Sequence, residues 1–120
     1  MPHLKVASGH GCVYCLYENN EAGLTKMSAR YVGITSDFDT RLQQHQEAVT
    51  ASLNGSKTAG LNCDRKIASS SKKYTMTCLK HGVASTNLRA WEKHFIALWQ
   101  TYGGPGGFDN NLAWNETEGG

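Results

Sequence analysis

Apolar positions follow two different rhythms along this chain, and the change of rhythm divides it into elements. From Cys12 to Glu18 the run CVYCLYE is dense in β-branched, aromatic and apolar residues and stops at Asn19-Asn20, which predicts a strand closed by a turn. Ala29 to Thr35 (ARYVGIT) reads the same way. Strands so close in sequence usually pair antiparallel, so the chain is expected to open with a hairpin. Beyond it the period lengthens: Phe38, Leu42, His45 and Val49 recur at helical spacing behind Ser36 and Asp37, either of which can cap a helix through its side-chain oxygen. This predicts a helix from about Asp37 to Ala51.

Asn54-Gly55-Ser56 interrupts the pattern as a loop, and Asn62 to Ser70 is a weaker helical segment ending in Ser69-Ser70-Ser71. Tyr74 to Leu79 predicts a third strand, closed by His81-Gly82. The last helix is the clearest element: Leu88, Trp91, Phe95, Leu98 and Tyr102 share a face from about Asn87 to Tyr102, with Gly103-Gly104-Pro105 as its stop. Gly106 to Gly120 is rich in Gly and Asn and is expected to lie over the core, anchored by Phe108, Leu112 and Trp114. No repeat or linker divides the sequence. Residues 1–120 are therefore expected to form a single domain with its core at about 12–115.

Composition narrows the setting without deciding the function. A chain of 120 residues, 39% hydrophobic and 9% aromatic, suffices for one buried core. No apolar run approaches the roughly 20 residues that span a bilayer, and Met1 to Val6 lacks the features of a targeting leader, so a soluble cytoplasmic protein is expected. The cysteines, Cys12, Cys15, Cys63 and Cys78, sit in core-like stretches and are expected to be free thiols. Cys12-Val13-Tyr14-Cys15 has the spacing of half a zinc site, but the strand period of 2 sends the two thiols to opposite faces. A formal net charge of +2 tolerates a polyanionic partner and does not by itself demand one.

Several residues do not fit a purely structural pattern. On a helical wheel Glu92 falls inside the apolar arc, between Trp99 and Ile96. A carboxylate there needs a cation, which is either an arginine in a salt bridge or a metal ion. Arg41 and His45 lie one turn apart beside Phe38 and Leu42. They form either a solvated face or a pair suited to phosphate and proton handling. Tyr14 and Tyr31 on neighbouring strands are packing residues unless a nearby cation lowers a phenol's pKa from about 10, which would make it a general base. Arg65, Lys66, Lys72 and Lys73 form a basic cluster that is either an ordinary solvated loop or a DNA-backbone contact.

Together these residues resemble the GIY-YIG nucleases. The likeness rests on Cys12-Val13-Tyr14 in the first strand, Tyr31-Val32-Gly33 in the second, the run YVGITSDFDTRLQQH, Glu92 in an aromatic helix, and Asn115 in the closing LAWNETEGG. It covers about 12–120. It implies an α+β fold with a three-stranded antiparallel sheet flanked by helices, and one divalent metal, Mg²⁺ or Mn²⁺, on Glu92. It further implies Tyr14 and Tyr31 as the motif tyrosines, Arg41 as the phosphate-stabilising arginine, His45 one turn later, and Asn115 as a structural or active-site asparagine. Cys12 stands in place of the first motif glycine, the stretch between the tyrosine motifs is longer than usual, and Ile34 occupies a position where some members carry a lysine.

The expected activity is single-metal hydrolysis of DNA phosphodiester bonds with Tyr14 as general base, acting directly or relayed through His45 or Tyr31, by a monomer in preference to a dimer with two opposed sites. A DNA- or protein-binding module that kept the fold and lost catalysis is the competing reading. It would be expected to have broken the set Tyr14, Tyr31, Arg41, His45 and Glu92.

Overall fold

A computed structural model of the chain describes residues 10–55, 62–69, 72–103 and 113–115. The strands are β1 (His10–Glu18), β2 (Ala29–Thr35) and β3 (Tyr74–Ala84), and the helices are α1 (Phe38–Leu53), α2 (Asn62–Ser69) and α3 (Leu88–Trp99). The strands form one antiparallel sheet in the order β2-β1-β3. β1 is therefore the central strand, and Gly11 to Leu16 are all buried. A strand covered on both faces must be apolar on both, which is why CVYCL shows density rather than alternation.

The period of 2 separates two cores. Cys12, Tyr14 and Leu16 of β1 join Met76 of β3, Phe38 of α1, Cys63 of α2 and Trp114 on one face. Val13 and Cys15 join Val32 of β2, Val83 of β3, and Leu88 and Ile96 of α3 on the other. The two cysteines of the CVYC run thus lie in opposite cores, as the strand period requires, and all the cysteines are free thiols. Among the described residues no helix is long and apolar enough to cross a membrane.

Several boundaries differ from the sequence expectation, each for a local reason. α1 starts behind Asp37, whose carboxylate accepts from the Thr40 amide, so Asp37 is the cap and Ser36 is not. β3 runs through His81-Gly82 instead of ending there. Its register against β1 shifts near Gly82, where φ is +68°, so the glycine absorbs a bulge and pairing resumes at Val83. α3 ends at Trp99, three residues early, because Gln100 turns left-handed at φ 58° and its amide bonds back to Ile96. Leu98, expected on the buried face, is 44% exposed, and Ile96 takes its place at 2%. Trp114 is buried as an anchor. The other two proposed anchors, Phe108 and Leu112, and the Gly104-Pro105 stop lie outside the described residues.

Candidate active site

Tyr14 occupies the centre of the α1/α2 face. It is 1% exposed, and its ring lies over Gly33 of β2, its antiparallel partner. A Cβ on Gly33 would collide with the end of the Tyr14 ring and its hydroxyl. Glycine is required here by a close approach and not by an unusual backbone angle. The Tyr31 ring stands 6.3 Å from Tyr14, and the His45 ring stands 5.6 Å from Tyr14 and 6.4 Å from Tyr31.

The helical spacing of Arg41 and His45 aims both at the same hydroxyl. Arg41 Nε donates to Tyr14 Oη at 3.3 Å, and Tyr14 Oη lies 2.9 Å from His45 Nε2. Arg41 is half-buried and steadied by Gln44 Oε1, 3.1 Å from a terminal guanidinium nitrogen. His45 is 3% exposed, which removes the solvated-face reading for this residue. Its other ring nitrogen, Nδ1, is hydrogen-bonded to Asp64 Oδ1 from α2.

Asp64, 2% exposed, is a site residue that the sequence reading missed. It adds a second carboxylate to Glu92, the one that the helical wheel singled out. A carboxylate in the first turn of a helix normally complements the positive helix end and attracts no notice. Its available signal was position: on α2, Cys63 and Ile67 pack into the α1/α2-face core, and Asp64 is buried beside Cys63.

The pKa expectation for the phenol is also corrected. Burial pushes Tyr14 up to about 12, outweighing the hydrogen bond and positive charge of Arg41, which act to lower it. Burial likewise raises Tyr31, with the charges of Tyr14, Cys63 and Glu92 adding to the rise. Glu92 is half-buried on α3, the helix packed against β2 and β1, and its charge is felt at Tyr31.

Mg²⁺ and Mn²⁺ take oxygen donors, and Mg²⁺ typically uses one or two carboxylates, substrate phosphate and several waters. A half-buried carboxylate whose charge reaches Tyr31 fits that demand. Donor atoms of His45, Cys63 and Asp64 also lie within 4.8 Å of one another, the one such group found among the described residues. That trio is buried, it includes a thiol suited to softer ions, and its Nδ1 and Oδ1 atoms are already joined to each other.

Asn115 stitches the end of the described chain to the outer edge of β2. Its Oδ1 accepts from the Val32 amide at 2.8 Å and from Thr101 Oγ1 at 2.6 Å, and its Nδ2 donates to Val32 O at 2.9 Å. The side-chain amide thus satisfies an edge strand as a neighbouring peptide group would. Ile34, at the position where some family members carry a lysine, packs in the α3-side core.

Lys66 Nζ lies 5.9 Å above the Trp114 ring and Lys72 Nζ lies 3.8 Å from Glu18, while Lys73 is exposed and Arg65 half-buried. Glu18 is four residues along β1 from Tyr14, on the order of 13 Å at the rise of a strand.

The family model described as the GIY-YIG catalytic domain matches residues 10–103, a span holding Tyr14, Tyr31, Arg41, His45, Asp64 and Glu92. No curated protein and no solved structure gives a match.

Proposed function

The chain belongs to the GIY-YIG family, whose activity is of the nuclease type, and from that premise we propose that it is a divalent-metal-dependent endonuclease acting on DNA. The observation that carries the reading is the convergence of Arg41 and His45 on the buried hydroxyl of Tyr14. A degenerate binding module would have no use for a desolvated phenol held between a guanidinium and an imidazole. Burying such groups is costly unless each is partnered, and an apolar core would hold the sheet without them.

Tyr14 takes a proton from the attacking water as it hands its own to His45 Nε2. A phenol held up near 12 is not ionised at neutral pH, so the two transfers are coupled. Arg41 meets the charge that builds on the phosphate oxygens, and the Tyr31 ring packs beside Tyr14. Glu92 would hold the metal, Mg²⁺ or Mn²⁺, which supplies Lewis-acid stabilisation of the phosphate and the leaving oxygen. The bond from the water oxygen to phosphorus forms and the bond to the leaving oxygen breaks. The leaving oxygen gains a proton from solvent, and His45 returns one to solvent. Asn115 holds β2, and with it Tyr31 and Gly33, in register. Arg65, Lys66, Lys72 and Lys73 contribute backbone contacts to flanking DNA.

One site per 120-residue chain cuts one strand at a time. Incubation with supercoiled plasmid in Mg²⁺ is expected to give nicked circles first and linear DNA later at every enzyme dilution, and EDTA is expected to stop both. Linear product without a nicked intermediate at limiting enzyme would contradict the monomer, and cutting at full rate in EDTA would contradict the metal.

A further inference from the structure

We propose that Asp64 is a positioning residue for catalysis, fixing the proton of His45 on Nδ1 so that Nε2 is free to receive the proton of Tyr14. This rests on Tyr14 being the group that deprotonates water. We take Asp64 as ionised and His45 as neutral, and the available donors then set the direction of the hydrogen bonds. The Arg41 guanidinium can only donate, so Tyr14 Oη accepts from it. An ionised Asp64 can only accept, so Nδ1 must carry the hydrogen in that contact. With its single ring proton on Nδ1, a neutral His45 presents a lone pair at Nε2, and the Tyr14 hydroxyl donates to it. The chain therefore runs one way, from Arg41 to Tyr14 to His45 to Asp64, and leaves a lone pair of Tyr14 Oη for a water.

The same contact acts during the reaction. When Tyr14 passes its proton to Nε2, the ring becomes an imidazolium inside the core, where an isolated charge is costly. Asp64, 2% exposed and in contact with the ring, supplies the compensating charge without moving or gaining the proton. Its carboxylate is set by Cys63 Sγ, 3.9 Å from the same Oδ1, and by the packing of α2 on α1. A carboxylate that merely balanced charge on the surface would do neither, because solvent would screen it.

The test uses the full chain and Asp64→Asn, which keeps the shape and can turn an N–H toward Nδ1. Imidazole nitrogen NMR is expected to show His45 protonated at Nδ1 in the wild type and at Nε2 in the variant. Plasmid nicking in Mg²⁺ at neutral pH is expected to fall about 10²- to 10⁴-fold, the range spanned by lost proton transfer and by a wrong-tautomer substitution in a serine-protease triad. The deficit is expected to shrink as pH rises, because direct ionisation of Tyr14 then replaces the blocked transfer. A wild-type His45 protonated at Nε2 overturns the proposal even if the variant does not fold. So does a folded variant with wild-type rate and pH profile. Absence of nicking by the wild type would instead overturn the nuclease reading, leaving the NMR result to judge Asp64.

Discussion

The two faces of the sheet are built from alternate residues of the same strand and differ in kind. On the α3 face, Val13, Cys15 and Val32 meet Leu88, Ile96 and the rings of Trp91 and Phe95, and the buried charge felt there at Cys15 is Arg30, which is neutralised by an ion pair with Glu18. On the α1/α2 face, Tyr14 sits among Cys12, Leu16, Phe38 and Met76, yet its hydroxyl opens onto a buried series of Arg41, His45 and Asp64. The apolar face gains stability from area removed from water. The polar face holds titratable groups in a low dielectric, where they interact strongly and are costly if left unpaired. One face anchors the sheet and the other uses the rigidity so provided.

The sharpest way to break this division is to remove one atom from the polar face. Tyr14→Phe is expected to lower the nicking rate about 10²- to 10⁴-fold. The accompanying loss of stability is about 1–3 kcal/mol, the cost of leaving buried polar partners unsatisfied. Single-turnover nicking and denaturant melts on one preparation would measure both, and a wild-type rate would return Tyr14 to the core. The opposite substitution, Ile96→Ala, is expected to cost about 2–5 kcal/mol of stability through the cavity it leaves. Below its melting transition its rate should fall far less than that of Tyr14→Phe, because Ile96 lies one helical turn from Glu92 and bears on the site only through the placing of that carboxylate. A rate loss as large as that of Tyr14→Phe would show that the faces are not separable.

The third effect is a matter of pH. Tyr14 titrates near 10 when unfolded and is held at about 12 when folded, so folding favours its protonated form. Its contribution is fully present below pH 10 and disappears between about 10 and 12. Cys12 and Cys15, raised from 9.0 to about 12 mainly by burial, add to the same alkaline loss from pH 9 upward. Denaturant midpoints are expected to decline across that window, with Tyr14→Phe declining less. Equal slopes in the two proteins would remove Tyr14 from the explanation.

The sequence disclosed the two faces unequally. The hairpin, α1 and the opposite burial of Cys12 and Cys15 follow from periods of 2 and 3.6; the spacing of Arg41 and His45 put both on one helix face, and only the family resemblance joined them to Tyr14. Asp64 was hidden because its partner lies on another helix and its position at a helix start has an ordinary explanation. The bulge at Gly82 and the left-handed Gln100 were hidden because both depend on how a chain must bend to meet a strand or a core already in place. Asn115 was legible through the family pattern. Its bonds to Val32, 83 residues away in sequence, depend on the assembled fold.

The central claim is that the chain performs metal-assisted cleavage of DNA with Glu92 as the proposed metal carboxylate, and Glu92→Ala tests it most directly. Plasmid nicking in Mg²⁺, DNA retention in a gel shift and the melting temperature are measured together. The account predicts nicking reduced by about 10²-fold or more, with the gel shift retained and the protein still folded. Wild-type nicking by the folded variant at the same Mg²⁺ concentration would contradict it.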